Sequence, residues 1–254
     1  MSLTERVKVP TGINSGVKNA KQQTMLDIFG NPRDTYNSDC QPVSNQSLQK
    51  MIVTTDIGPF RVTGLKSATE DLIQIFAEVK AADTALYAAL GTAGMLCARL
   101  VRGTTTGAIS NHAWGTAIDI KINGILDPRG DGLVLAGLVR LAPYFNRHGW
   151  FWGAGFGTED GMHFEVGDDR LRQWHADGTV PARGGPTPAA TLRMGDRGPE
   201  VRHLQEALNA NGAALATDGI FGRGTENAVV AFQHKHGLST DGVVGPATAA
   251  ALGL

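Results

Sequence analysis

Residues 180–191 read VPARGGPTPAAT, with three prolines and two glycines in twelve positions. No helix or strand of regular period runs through such a stretch. The chain is therefore expected to fold as two pieces, 1–179 and 192–254, joined by a linker. At 254 residues and 42% hydrophobic content, it can build one large core and one small one. The first forty residues are polar and turn-rich, with no assignable period. We read 1–60 as an N-terminal extension that either wraps the core or is partly disordered.

Charge narrows the partners. Lys and Arg total 23 against 24 Asp and Glu, a net charge of −1, so no bulk field draws in nucleic acid. The opening MSLTERVKVPTG lacks the apolar run of a signal peptide, and no 18-residue apolar stretch suits a membrane span. The expectation is a protein made in the cytoplasm, with no membrane insertion, that another agent must release if it acts outside. Cys40 and Cys97 make no disulfide framework; they are read as buried free thiols, which behave as small apolar side chains, with a single bridge between them as the alternative if the fold brings them together.

In the large piece, Ser67 and Glu70 have capping-box spacing ahead of Leu72, Ile73, Phe76 and Val79, which predicts a helix. A second helix is expected from Asp83 to Gly91, and GMLCARLV (94–101) reads as a buried strand. GTAIDIKI (115–122) and MHFEV (162–166) alternate as half-buried strands, with a helix expected over 131–146 between them. DDRLRQWHADG (168–178) closes the piece as a short helix. This mixture without regular βαβ units predicts an α+β domain.

The tail repeats itself. DGIFG (218–222) returns as DGVVG (241–245), 23 residues on, each a turn that leads into a helix. Helices starting near Pro199, Thr225 and Pro246 make a three-helix unit. Lys and Arg (193, 197, 202, 223, 235) do not outnumber Asp and Glu (196, 200, 206, 218, 226, 241) there. A DNA-binding helix-turn-helix would need a cationic excess to neutralise phosphates.

The chemistry concentrates in SNHAWGTAID (110–119) and DGMHFE (160–165). Two imidazoles, His112 and His163, with the carboxylate of Asp119 suit a divalent cation and leave a position for water. Such a cation brings the ionisation of that water towards neutral pH, and a further carboxylate, Asp160, lies three residues before His163 to accept the proton. Taken one at a time, each of these is more often a satisfied core histidine or a strand-end aspartate. Asp119 sits on the polar face of an Ile-rich strand and His163 likewise on an aromatic strand; buried carboxylates and imidazoles need partners, and a shared metal satisfies both. Gly115 would let the chain turn sharply between His112 and Asp119.

The string S-x-H-x-x-G-x-A-x-D followed by D-x-x-H-F-E resembles the zinc D-alanyl-D-alanine metallopeptidase family. That family includes D-Ala-D-Ala carboxypeptidases, D,D-dipeptidases and phage L-alanyl-D-glutamate endolysins, on the hedgehog/D-Ala-D-Ala peptidase fold. The resemblance implies one Zn2+ held by His112, Asp119 and His163, with Asp160 as general base and Glu165 orienting a ligand. It implies an arginine for the oxyanion, best matched by Arg99 with Arg102 as the alternative, and places Ser110 and Trp152 on the substrate side. The plainer reading of Arg99 is a surface ion pair, and of Trp152 a place in the core. The tail, with L-R-x-G-x-x-G-x-x-V-x-x-L-Q and its paired turns, resembles the peptidoglycan-binding three-helix domain.

Together these imply a cell-wall-lytic peptidase, monomeric, with bacterial peptidoglycan as partner. Of the family's activities, cleavage of L-Ala–D-Glu as a phage-type endolysin is preferred over D-Ala-D-Ala carboxypeptidase action. A non-catalytic wall-binding protein is the alternative of another class. A serine D,D-peptidase is the remaining one, since Ser15/Lys18 and Ser47/Lys50 fit S-x-x-K, but the companion K-T-G is absent.

Overall fold

The computed structural model describes residues 2–37, 39–101, 108–180, 191–252 and 254, without side chains at 199, 246 and 250. The chain divides into two compact units, Met1–Arg183 and Gly184–Leu254. Most of the 180–191 stretch lies outside the described residues, as does Arg102.

The first unit is α+β. Strand β1 (Arg6–Lys8) is followed by helices α1 (Gln22–Phe29) and α2 (Gln46–Gln49), the hairpin β2 (Ile52–Asp56) and β3 (Arg61–Leu65), and helices α3 (Lys66–Ala82) and α4 (Thr84–Ala89). Then come β4 (Leu90–Gly94), a short 3-10 turn (Asn111–Trp114), β5 (Ala117–Ile122), β6 (Ile125–Leu126) and β7 (Leu133–Leu135). Helix α5 (Ala136–Arg147), β8 (Trp150–Trp152), β9 (His163–Val166) and α6 (Asp168–Ala176) complete it. The main sheet runs β4-β5-β9-β8, with β6 added on β5.

Ile118, Ile120 and Ile122 of β5 are all buried, as the alternation predicts. Helix α5 lies close on them because Gly137 has no side chain: a Cβ there would come within 3.0 Å of Ile122. Phe145 of α5 packs against Phe164 of β9 with the rings tilted and 4.2 Å between centroids, tying helix to sheet.

Several expectations are corrected. Helix α3 begins at Lys66, so Ser67 sits inside the first turn and makes no cap; Glu70 pairs with Lys66 at 2.6 Å instead. Ile75 takes the inward position, and Ile73 is 37% exposed. The second helix ends at Ala89, where β4 takes over. Residues 95–101 form no strand; they are irregular, with isolated bridges Gln41↔Ala98 and Leu100↔Ile109. The first of these sets Cys40 beside Cys97, and the two are joined as a disulfide with 5.0 Å between Cα atoms. A bridge between segments 57 residues apart has no local signature, which is why the thiols read as free. Residues 133–135 are β7 and not helix, because the N-terminal strand β1 pairs with them.

The N-terminal segment wraps the unit. Asn14 donates to Trp152 O at 2.9 Å and accepts from Trp152 N–H at 2.8 Å, acting as an extra rung beside β8. Trp114 donates its indole N–H to Gly30 O at 2.8 Å, anchoring the 3-10 turn on the end of α1.

The second unit holds α7 (Pro199–Ala210), α8 (Arg223–Lys235) and α9 (Pro246–Leu252) around Val201, Leu204, Leu208, Phe221, Val229 and Phe232. Its sequence repeat is a repeat of hydrogen bonds. Buried Gln205 donates to Asp218, Ile220 O and Thr225 and accepts from Gly219 N–H. Gln233 donates to Asp241, Val243 O and Thr248 and accepts from Gly242 N–H. One amide thus satisfies each turn. Removing it leaves several buried polar groups unpaired, at about 1–3 kcal/mol for each such group. All four tryptophans lie in the first unit, at 114, 150, 152 and 174. Gln233→Ala should therefore lower the midpoint of the tail's helical signal in circular dichroism while the tryptophan-fluorescence midpoint stays in place.

Candidate metal centre

The sheet register builds the site. In the β5–β9 pair, Asp119 stands directly opposite His163, so their side chains share one face as cross-strand neighbours. His112 arrives from the 3-10 turn just before β5. Gly115 ends that turn with φ 67, and a Cβ there would lie 2.7 Å from Leu65 N and 2.9 Å from Gly64 Cα. Backbone cannot yield to such a contact, so glycine is required both by conformation and by space. Leu65 N–H donates to Gly115 O at 2.9 Å and fixes the turn against β3.

The result is a cluster of three ligand atoms, one each from His112, Asp119 and His163, within 4.8 Å of one another. His112 Nε2 lies 3.2 Å and His163 Nδ1 3.3 Å from Asp119 Oδ1. The outer ring nitrogens are both occupied. His112 Nδ1 is 2.7 Å from Met95 O, which can only accept, so that nitrogen carries the proton and Nε2 turns its lone pair inward. His163 Nε2 donates to Glu165 Oε2 at 3.0 Å, which leaves Nδ1 for the cluster. Glu165 is itself held by Asn111 Nδ2 at 2.7 Å and by Ala20 N–H at 3.0 Å. A carboxylate behind a ligand histidine fixes its ring and tautomer.

The three groups shift one another's charge. Burial opposes charge on His163, but the bonds to Asp119 and Glu165 outweigh it and push the imidazole up to about 10. Burial alone would raise the Asp119 carboxyl; the charges and hydrogen bonds of His112 and His163 hold it far below the ordinary range instead. A site that grips a proton this firmly offers the same donors to a metal ion. Two imidazole nitrogens and one carboxylate oxygen are the donor set of an open Zn2+ site.

Asp160 lies at the turn leading into β9, and its N–H donates to Gly153 O at 3.0 Å. Gly153 permits this approach, since a Cβ there would meet Asp160 O at 2.6 Å and His163 Cβ at 3.0 Å. Burial and the negative charge of Asp119 raise the Asp160 carboxyl, while His163, Arg129 and His112 pull it down. Its Oδ1 is buried without a hydrogen-bond partner among the described residues.

Other sequence candidates fall differently. Trp152 is 0% exposed, donates to Gly161 O at 2.7 Å and stacks on Phe164, so it is a core residue and lines no cleft. Ser110 is buried, and its backbone carbonyl accepts from Ala113 N–H to start the turn that carries His112. Arg99 sits on the irregular 95–101 segment, donating from Nη1 to Leu100 O at 3.0 Å. The cation that the structure brings to Asp160 is Arg129, whose Nε lies 3.5 Å from Oδ2. Sequence reasoning missed Arg129, Asn111 and Ala20; only Asn111, inside the SNH string, carried a local signal. Of the S-x-x-K pairs, Lys18 is a largely exposed ammonium beside Asp169, unlike a buried catalytic base.

Residues 103–166 match the sequence model of the family described as D-alanyl-D-alanine carboxypeptidase, and residues 197–252 that of the putative peptidoglycan binding domain. A zinc D-Ala-D-Ala carboxypeptidase of Streptomyces albus G is 46% identical over 63 residues, 24% of this chain and 25% of that protein. A probable N-acetylmuramoyl-L-alanine amidase of Bacillus licheniformis is 42% identical over 64 residues, 24% of this chain and 18% of that protein. A Burkholderia AP3 phage endolysin structure is 52% identical over 25% of this chain and 24% of its own, with a TM-score of 0.25. The chain thus spans a quarter or less of the length of these relatives.

Replacing Glu165 by Gln should weaken zinc binding by about ten- to a hundredfold through the loss of charge behind His163. Competition against a chromophoric chelator measures this, and an unchanged affinity would remove Glu165 from the metal's support.

Proposed function

We propose that this chain, which joins a segment of the D-alanyl-D-alanine carboxypeptidase family to a peptidoglycan-binding domain, is a zinc peptidase that hydrolyses an amide bond in the peptide part of bacterial peptidoglycan. The observation that carries the reading is the convergence of His112, Asp119 and His163 beside the half-buried carboxyl of Asp160. The family match over 103–166 includes all four residues.

One zinc ion held by the three ligands supplies Lewis acidity to water and to the substrate carbonyl. The residues do the rest. Asp160 accepts a proton as water attacks the carbonyl carbon, and returns it to the amine as the C–N bond breaks. Burial and the nearby Asp119 raise its carboxyl, which moves its proton affinity towards the working range of a general base. A fixed cation would stabilise the negative oxygen that develops. Arg129 is supported in that place by its ion pair with Asp160, and Arg99 by the sequence resemblance.

The tail supports a polymeric substrate, since tethering raises local concentration at an insoluble wall. A tether helps most when the scissile bond lies within the mesh, which favours L-Ala–D-Glu cleavage over removal of a terminal D-alanine. Within the described residues no helix is long and apolar enough to cross a membrane, and the Cys40–Cys97 disulfide suits work in an oxidising compartment.

Asp160→Ala should reduce the release of new amino groups from purified cell walls by about a hundredfold or more, with zinc content unchanged. Digestion at a near-normal rate by the zinc-loaded variant would overturn the role given to Asp160. Mass spectrometry of the released fragments identifies the bond.

A further inference from the structure

The turn that carries Asp160 is gripped by a single loop, residues 127–132. Asp127 is fully buried beneath it. Its Oδ1 accepts Leu135 N–H at 3.0 Å, and its Oδ2 lies against Gly161, where there is no room for a Cβ. Arg129 Nε is 3.5 Å from Asp160 Oδ2. Gly130 N–H donates to Glu159 O at 3.1 Å and also to the Glu159 carboxylate, which accepts from Asp131 N–H at 2.8 Å. Successive residues 159, 160 and 161 therefore each touch the same short loop.

The loop is held in turn by the N-terminal strand. Arg6 of β1 reaches Asp131 Oδ1 at 2.7 Å and Oδ2 at 2.9 Å, donates to Leu133 O at 2.8 Å, and places Nε 3.6 Å from Asp127 Oδ1. Strand β1 is fixed to β7, directly after the loop, by the Arg6↔Leu135 register. Burial pushes the Asp127 carboxyl up to about 6 against the pull of Arg6, the mark of a group kept away from water.

We propose that Arg6 and the 127–132 loop form a positioning device that aims the Asp160 carboxylate at the metal centre. This rests on the reading of Asp160 as general base. The need for such a device is geometric. Asp160 is not part of β9, and its main-chain ties are the bond from its own N–H to Gly153 O and the bond its carbonyl accepts from His163 N–H at 3.1 Å. Neither sets the direction of the side chain. Arg129 and the seating of Gly161 over Asp127 set it, and both depend on the loop that Arg6 braces. A displacement of about 1 Å at a reacting group can cost roughly a hundredfold in rate. The N-terminal segment thereby acts on both halves of the chemistry: on the ligand His163 through Ala20 and Glu165, and on Asp160 through Arg6.

The test uses Glu159 and Arg6, because Arg129 could also touch substrate. In the full-length zinc-loaded protein, Glu159→Ala should lower kcat about ten- to a hundredfold on soluble muropeptides prepared by muramidase digestion of purified peptidoglycan. KM and zinc stoichiometry should be unchanged. Glu159→Gln keeps an acceptor oxygen and should recover most of the loss. Arg6→Ala should repeat the effect, with Arg6→Lys intermediate; if Arg6→Ala does not fold, the Glu159 pair decides. A purely structural role would instead lower Tm and folded yield and leave turnover per bound zinc unaltered, and that result overturns the proposal. Asp160→Ala runs alongside. If it is inactive while Glu159→Ala turns over normally, only the positioning role falls. If Asp160→Ala is itself active, the base reading falls and the positioning role with it.

Discussion

Everything at the metal centre depends on one register, Asp119 of β5 opposite His163 of β9. In a sheet, a slip of one residue turns every side chain to the other face. Here it would bury Lys121 and expose the isoleucines, so the hydrophobic effect holds the register and the ligands ride on it. The apolar face of β5, with Ile118, Ile120 and Ile122 beneath α5, is therefore what fixes the distance between a carboxylate and an imidazole on the opposite face.

That opposite face concentrates negative charge and imidazole donors that water cannot reach well. The ligand rings are locked from behind by Met95 O and Glu165, so the cluster is organised before any ion enters. Preorganisation of this kind is costly to build from one strand pair alone. The surrounding pieces supply it: β3 against the Gly115 turn, the N-terminal segment against β8 and Glu165, and the loop after β6 against the turn before β9.

Much of this was legible in the amino-acid string. The three candidate ligands, Asp160 and Glu165 stand in two short motifs, and the alternation of β5 announces its buried face. The three tail helices follow from the repeated turns and, for α7 and α9, from proline starts. What was illegible depends on partners distant in sequence. Residues 133–135 become a strand only because β1 pairs with them, and Cys40 meets Cys97 only through the Gln41↔Ala98 bridge. Arg129 gains meaning only when the loop folds back over Asp160. Trp152 erred in the other direction: an aromatic beside glycines reads equally as cleft or core, and the indole N–H satisfied by Gly161 O decides for core.

Between Ile122 of β5 and His163 of β9 the chain adds β6 and β8 to the same sheet, and β9 then pairs beside β5. Because the two ends of this span lie on paired strands, it is a cassette whose connecting loops can vary while β5 keeps Asp119 in place. It carries α5, the bracing loop and Asp160, but neither His112 nor Asp119. Swapping cassettes between related chains would thus change what frames Asp160 while leaving two of the three clustered side chains, His112 and Asp119, on the unaltered scaffold.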